Sequence, residues 1–117
     1  MIVQKFSIDA AAFERSPRQE ADVFVANLVD ERHGGPITVA YGRYGPHQSL
    51  AEMLAVHDVM VVLEGRLTVS TERGTVTAGP GEIVYTPKGE AVTIRSHEAG
   101  AVTAAVTYPH WREASQA

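Results

Sequence analysis

Short β-branched segments separated by glycine and proline fill the stretch from His57 to Gly89, HDVMVVLEGRLTVSTERGTVTAGPGEIVYTPKG. Valine, isoleucine and threonine favour extended backbone that packs in a pleated sheet. Glycine permits the positive φ angles of tight corners, and proline supplies no backbone donor to a ladder. The stretch therefore predicts consecutive short strands joined by tight turns, in which the glycines are mainly architectural.

The same pattern extends over the rest of the chain. One helical turn is predicted within Asp9–Glu20, with Asp9 as its N-cap and Pro17 ending it. The segment His47–Val56 fits a loop or an irregular strand. About nine or ten short strands, at intervals of roughly 8–12 residues, are typical of an all-β sandwich or barrel. They are predicted over Ile2–Ile8, Asp22–Asp30, Ile37–Tyr44, His57–Gly65, a hairpin over Arg66–Ala78 with its tip near Arg73 and Gly74, Glu82–Pro87, Ala91–Ser96 and, after a turn at HEAG, Ala101–Pro109.

Length and composition restrict the classes of function. The chain has 117 residues, which leaves room for one domain, and we assign residues 1–117 to it. Its net charge is −4 and it has no basic run, so we expect no nucleic-acid or membrane partner. It has no cysteine, which excludes disulfides and a thiolate nucleophile. No apolar run approaches the ~20 residues of a membrane span, and the N-terminus lacks the pattern of a signal peptide, so we expect a cytoplasmic protein.

Two motifs in this pattern resemble those of the cupin superfamily. DVMVVLEGRLTV is similar to the closing half of the first cupin motif, and GPGEIVYTPKG to the first part of the second. The resemblance covers about Tyr41 to Tyr108, and the segments VLEG, AGPGEIVYTPKG and TYPHW look most like the ethanolamine-utilisation, or EutQ-like, branch. It implies an all-β, single-domain cupin jelly roll, a double-stranded β-helix barrel, with its core at about residues 37–108. It also implies a homodimer, because cupins commonly pair or pack their sheets.

The metal motif of the family survives only in part. The family has two histidines, a glutamate and a third histidine, where this chain has Glu52 and Leu54, Asp58 and Val92. Imidazole donors suit iron, zinc or nickel, and two carboxylates alone do not make a tight site for these metals. The resemblance thus implies a degenerate site, with a weakly bound divalent metal as the candidate cofactor. Its candidate ligands are Asp58, Glu52 and His47.

Strand periodicity directs Asp58 toward the barrel interior. Alternate residues of a strand share a face, so Glu52 and Asp58 share theirs with Met60 and Val62. A carboxylate on an apolar face is costly unless it is paired, hydrogen-bonded or protonated. We therefore predict Asp58 and Glu52 as catalytic residues. The alternatives are an internal ion pair between Asp58 and an arginine such as Arg43, and a solvated loop position for Glu52.

Three further side chains are predicted to bind a ligand. Tyr85 lies near the rim of the second motif, and Arg43 could hold a carboxylate through two hydrogen bonds. His47 follows Gly45 and Pro46 and could reach into the cavity. The alternatives are a core aromatic for Tyr85 and an exposed strand residue for Arg43. The remaining histidines are predicted away from the cavity: His57 by its parity, His33 and His97 in surface turns, and His110 in the tail.

Two functions remain open at this level. The first is a small EutQ-like cupin that binds or transforms a small polar metabolite, such as an amino alcohol, through acid–base chemistry at Asp58. The second is a non-catalytic assembly or regulatory cupin without metal, in which the N-terminal MIVQKFSI adds a strand to a neighbouring sheet. Convergence of Asp58, Glu52, His47 and Tyr85 on a cavity would favour the first function. Filling of the barrel centre by Leu54, Met60 and Val92 would favour the second.

Overall fold

The computed structural model describes residues 3–15, 22–30, 32 and 36–110. These residues form eight β-strands and one 3-10 turn, Ile8–Ala10, and contain no α-helix. Consequently this part of the chain has no helix with the length and apolarity needed to cross a bilayer. The all-β prediction is confirmed. The strands are β1 (Glu14–Arg15), β2 (Val23–Val29), β3 (Thr38–Tyr44), β4 (Ser49–Met53), β5 (His57–Thr71), β6 (Gly74–Ala78), β7 (Ile83–Thr86) and β8 (Ala91–Tyr108).

Two long strands, β5 and β8, connect the two halves of an antiparallel jelly roll. The first half of β5 and the second half of β8 lie at the centre of a sheet ordered β1–β2–β3–β8–β5–β7. The second half of β5 and the first half of β8 lie at the centre of the other sheet, ordered β4–β8–β5–β6. Because the same two strands run through both sheets, residues on their inner faces line one continuous interior.

The bend between the two sheets occurs where Gly65 and Gly100 meet. The ladder of β5 and β8 shifts register on either side of Gly65, and both glycines have positive φ, 73° and 70°. A Cβ on Gly65 would overlap the carbonyl oxygen of Gly100. Glycine is therefore required here both for the backbone conformation and for the close approach of the two strands.

Apolar side chains from both sheets fill the space between them. The core cluster contains ten buried residues, and Tyr44 packs against it. Val62 and Leu67, on either side of the bend in β5, are completely shielded from solvent. The cluster consists of Leu54, Met60, Val62, Leu67, Val69, Ala78, Val84, Val92, Ile94 and Ala101.

The sequence-based element predictions hold for most strands and fail at HEAG and at the N-terminal strand. The turn predicted at HEAG does not form, because residues 97–100 continue β8 through the bend. As a result His97 is not in a surface turn, and its Nε2 is hydrogen-bonded with the Thr68 hydroxyl at 2.7 Å. The ambiguous segment after Gly45 contains a regular strand, β4. His33 and Trp111 lie outside the described residues.

The N-terminal segment packs on the outer face of the first sheet and does not form the predicted strand. Residues 3–7 have no regular structure, and the short turn that follows has Ser7 at its N-cap in place of Asp9. The Tyr41 hydroxyl donates a hydrogen bond to the Phe6 carbonyl oxygen at 3.3 Å. The Arg43 guanidinium lies 4.4 Å from the centroid of the Phe13 ring. The segment therefore covers the outer side of β3.

Candidate functional site

A row of polar side chains crosses four neighbouring strands on the inner face of the first sheet. Asp58 on β5 pairs with Thr107 on β8 and with Thr86 on β7, and Thr107 pairs in turn with Thr38 on β3. Side chains directly opposite each other on antiparallel strands point to the same face, with Cβ atoms about 4.5–5.5 Å apart. We call these four residues the threonine–aspartate row.

Two atoms of this row are buried without a hydrogen-bond partner among the described residues. They are Asp58 Oδ1 and Thr107 Oγ1, which belong to side chains directly opposite each other. An unsatisfied buried polar group costs about 1–3 kcal/mol, and more when it is charged. Two such atoms on adjacent side chains give the row an unused capacity to bind a polar group.

The environment of Asp58 disfavours its ionised form. Burial, and secondly the negative charge of Glu52, raise the pKa of Asp58 from 3.8 to about 6. A carboxyl group with a pKa near the working pH is populated in both protonation states and serves as an acid or a base. Glu52 is exposed on β4, two residues after the buried Leu50 of the same strand face.

The phenol of Tyr44 belongs to the same neighbourhood. Burial, followed by the negative charges of Asp58 and Glu52, raises the pKa of Tyr44 far above its ordinary value of 10. The hydroxyl lies 4.0 Å from Met60 Sδ, deep on the inner face of the sheet. Tyr44 therefore stays protonated at any physiological pH and is a neutral hydrogen-bond donor near the two carboxylates.

Apolar side chains occupy the centre of the barrel beside the row. Leu54, Met60 and Val92 all belong to the buried core cluster. This is the arrangement that the sequence analysis associated with a non-catalytic module.

The residues present do not fit the metal of other cupins. Two of the four motif positions, Leu54 and Val92, are buried in the apolar core. No group of three histidine, aspartate or glutamate side chains within the described ranges is placed to hold a metal ion. His47 lies five residues before Glu52, about 16 Å along an extended chain, and its N–H donates to the His97 carbonyl oxygen at 3.1 Å. The donor set at Asp58 is thus limited to Glu52 and neutral hydroxyls.

Tyr85 and His57 lie together on the outer face of the same sheet. Their rings are stacked, with centroids 6.3 Å apart and planes at 17°. His57 Nδ1 accepts the Lys88 N–H at 3.3 Å, so the Tyr85 hydroxyl, 3.2 Å from the same nitrogen, is the donor of their bond. The structure therefore does not bring Tyr85 to Asp58. His57 points away from the interior, as strand alternation predicted.

Arg43 also lies on the outer face. Its neighbours in β3, Gly42 and Tyr44, face the interior, and its guanidinium packs on Phe13. The internal ion pair of Asp58 with Arg43, considered from the sequence, is not formed. Of the five predicted site residues, the structure brings together only Asp58 and Glu52, and it adds Thr107, Thr86, Thr38 and Tyr44, which the sequence analysis did not assign to the site.

Comparison with known proteins identifies the family. Residues 47–113 match the family model described as ethanolamine utilisation protein EutQ. A search of curated proteins gives no match. A protein of unknown function from Rhizobium leguminosarum bv. viciae 3841 is 62% identical over 94% of this chain and 100% of its own, with a TM-score of 0.79.

Two more distant structures agree in fold. A protein described as ethanolamine utilisation protein Q, from Salmonella typhimurium LT2, is 23% identical over 92% of this chain and 87% of its own, with a TM-score of 0.84. The Clostridium difficile EutQ protein is 22% identical over 79% of this chain and 66% of its own, with a TM-score of 0.70. The match over more than half of the sequence shows that the chain belongs to the EutQ family of the cupin superfamily.

Proposed function

We propose that this EutQ-family cupin binds a small polar metabolite carrying an amino group at the threonine–aspartate row, and that Asp58 exchanges a proton with it. The observation that carries the proposal is the pair of buried, unsatisfied atoms Asp58 Oδ1 and Thr107 Oγ1 on opposite side chains. A ligand that supplies both a donor and an acceptor would satisfy the two atoms at once.

The charges around the row favour an amine over an acid. Burial and, secondly, the negative charge of Glu52 disfavour the ionised form of Asp58 and raise its pKa. An ammonium group near the two carboxyl groups would offset that effect, whereas a carboxylate would add to it. The neutral hydroxyls of Thr107 and Tyr44 are suited to a second polar group such as an alcohol. The Salmonella relative is named for ethanolamine utilisation, so ethanolamine is the first ligand to test.

The pH dependence of binding tests the proposal. An ammonium ligand binds the ionised form of Asp58, so the affinity for ethanolamine should increase as the pH rises through about 6. Calorimetric titrations on both sides of that pH measure the change. Asp58→Asn should weaken binding at least about tenfold at the higher pH, because it removes a charged acceptor worth about 1.5–3 kcal/mol. Equal affinity in the wild type and in Asp58→Asn would overturn the proposal.

A non-catalytic assembly or regulatory role is the second candidate, supported by the packing of Leu54, Met60 and Val92 in the barrel centre. In that case Asp58 and Thr107 serve only the fold. The same titrations separate the two candidates. No detectable binding of ethanolamine or of related amines at any pH would favour the second.

We further propose that the protein acts in the cytoplasm as a homodimer, assembled through the outer face of the first sheet. Five large apolar side chains are exposed there on neighbouring strands, whereas monomeric proteins seldom leave such a contiguous patch uncovered. Sedimentation equilibrium tests the assembly: Ile83→Lys should shift the mass toward the monomer. Val76→Lys, at an exposed valine of β6, is the matched control and should leave the mass unchanged. The five are Leu63, Ile83, Tyr85, Val106 and Tyr108.

A further inference from the structure

A second cleft lies away from the threonine–aspartate row, near the bend of the jelly roll. Its volume is about 280 Å³, slightly below the range of roughly 300–1,000 Å³ in which most small-molecule sites fall. Arg43, Val102 and Glu64 lie side by side across β3, β8 and β5 and form its outer part. Asp22, Phe24 and the backbone around Gly45 close its other side.

The charges in this cleft are not neutralised within the described part of the chain. The side-chain carboxylates of Asp22 and Glu64 make no hydrogen bond or ion pair there; the bonds that Asp22 does make come from its backbone groups. Arg43 contacts only the face of the Phe13 ring, which fixes the guanidinium and leaves its N–H groups available. The cleft thus presents one planar cation and two anions around an apolar floor that includes Val102 and Ala99.

The spacing of these charges limits the ligand. Arg43 and Glu64 flank Val102 on neighbouring strands, so their backbones are about 9–10 Å apart, and their long side chains can converge above the valine. A simple amine would leave Arg43 without a partner, and a simple acid would face the two carboxylates. A molecule with adjacent carboxylate and ammonium groups satisfies both.

We propose that this cleft binds a free α-amino acid, whose carboxylate is held by Arg43 and whose ammonium group lies toward Glu64, with Asp22 on the other side of Arg43. The fork of guanidinium N–H groups matches a carboxylate with two parallel hydrogen bonds. The side chain of the amino acid extends over Val102 toward Phe24. This site is distinct from the interior site of the proposed function, and Tyr44, which lines the cleft while its hydroxyl reaches Met60, is the residue that adjoins both.

Gly45 positions one of the two carboxylates. A Cβ at this residue would overlap Oδ2 of Asp22, while the Gly45 N–H donates to the Asp22 carbonyl oxygen at 2.8 Å. Gly45→Ala therefore displaces the Asp22 carboxylate from the cleft without changing any charge. The complementary variant Arg43→Met removes the cation that binds the carboxylate of the ligand.

Methyl NMR titrations with L-alanine, propanoate and ethylamine test the proposal. Propanoate lacks the amino group of alanine, and ethylamine lacks its carboxylate. The methyl signals of Val102 and Ala99 report the cleft, and that of Thr107 reports the interior. L-Alanine should shift the cleft signals, with an affinity at least about tenfold higher than that of either analogue. Arg43→Met should abolish the preference for alanine over ethylamine, and Glu64→Gln should weaken alanine binding more than Gly45→Ala does.

The controls separate the two proposed sites. Arg95→Met, at an exposed arginine in the other half of β8, should leave binding in the cleft unchanged, and so should Asp58→Asn. The proposal is overturned if ethylamine shifts the cleft signals as strongly as alanine does, if Arg43→Met binds alanine normally, or if alanine up to about 10 mM leaves these signals in place. If ethanolamine fails to shift the methyl signal of Thr107, that result counts against the interior site and not against the cleft.

Discussion

Asp58 and Glu52 lie on different strands, β5 and β4, and the charge of Glu52 contributes to the elevated pKa of Asp58. The two carboxyl groups are thus coupled electrostatically across the two strands. This coupling makes both the stability of the protein and the chemistry of the row depend on pH, and it gives two direct expectations.

The first concerns the free energy of unfolding. The folded state raises the pKa of Asp58 from 3.8 to about 6, so between these values the folded protein holds a proton that the unfolded chain releases. Stability contributed by this group is complete below about pH 4 and is lost as the pH rises through 6, with a total on the order of 3 kcal/mol. Asp58→Asn does not titrate here. Its stability relative to the wild type should therefore increase over that range, as measured by urea denaturation at several pH values, and a difference independent of pH would contradict the assignment.

The second expectation concerns the pKa itself. Glu52→Gln removes the smaller of the two causes and leaves burial, so the pKa of Asp58 should decrease but stay above its ordinary value. Carboxyl carbon NMR titration of Asp58 measures the shift. The substitution Glu72→Gln, at the exposed tip between β5 and β6, is the control and should not move the titration curve of Asp58. An unchanged pKa of Asp58 in Glu52→Gln would show that the charge of Glu52 does not act on Asp58.

The two threonines Thr107 and Thr68 should respond in opposite ways to the same substitution. The buried hydroxyl of Thr107 has no partner among the described residues, so Thr107→Val should keep or increase the thermal stability while weakening ligand binding at the row. The hydroxyl of Thr68 bonds with His97 and Thr77, so Thr68→Val should cost about 1 kcal/mol. Thermal denaturation compares the pair. Equal destabilisation by both would indicate that Thr107 has a structural partner.

Gly65→Ala should be among the most damaging single substitutions in the barrel. It combines positive φ with overlap against Gly100, whereas Gly81→Ala has positive φ and open space around the added methyl group. Gly81→Ala should therefore lower the free energy of unfolding only by the cost of positive φ, about 1–2 kcal/mol. Gly65→Ala should lower it distinctly more. Urea denaturation of both variants measures the difference, and equal costs would show that β8 can yield at the bend.

Local periodicity was sufficient to predict the strands around the row and the inward direction of Asp58. Alternation along β5 depends only on adjacent residues, and Met60 and Val62 are buried as expected. The partners of Asp58 could not be found in this way. Thr107 and Thr86 reach the row through the register of β5 with β8 and β7, which is fixed by long-range pairing and by the shifts around Gly65.

The failures have equally specific causes. HEAG has the composition of a turn, but a glycine with positive φ can also bend a continuous strand, and the pairing of β8 with β5 on both sides of Gly100 selects the bend. Arg43 was considered as a carboxylate ligand on a predicted inner strand, with an exposed strand position as the alternative, and it lies on the outer face of β3. That face is apolar since the N-terminal segment with Phe13 covers it, a contact that no local pattern reveals.

The continuity of β8 has a practical consequence for anyone who labels or divides this protein. Residues 97–100 resemble a surface loop in the sequence, yet an affinity tag, a fluorophore or a chain break inserted there would interrupt one of the two strands that run through both sheets. The hairpin tip at Glu72 and Arg73 is exposed, and its one ion pair among the described residues is that of Arg73 with Glu90, so it is the better site for such an insertion. A tag at the tip leaves both candidate binding sites and the apolar outer face accessible to the measurements described above.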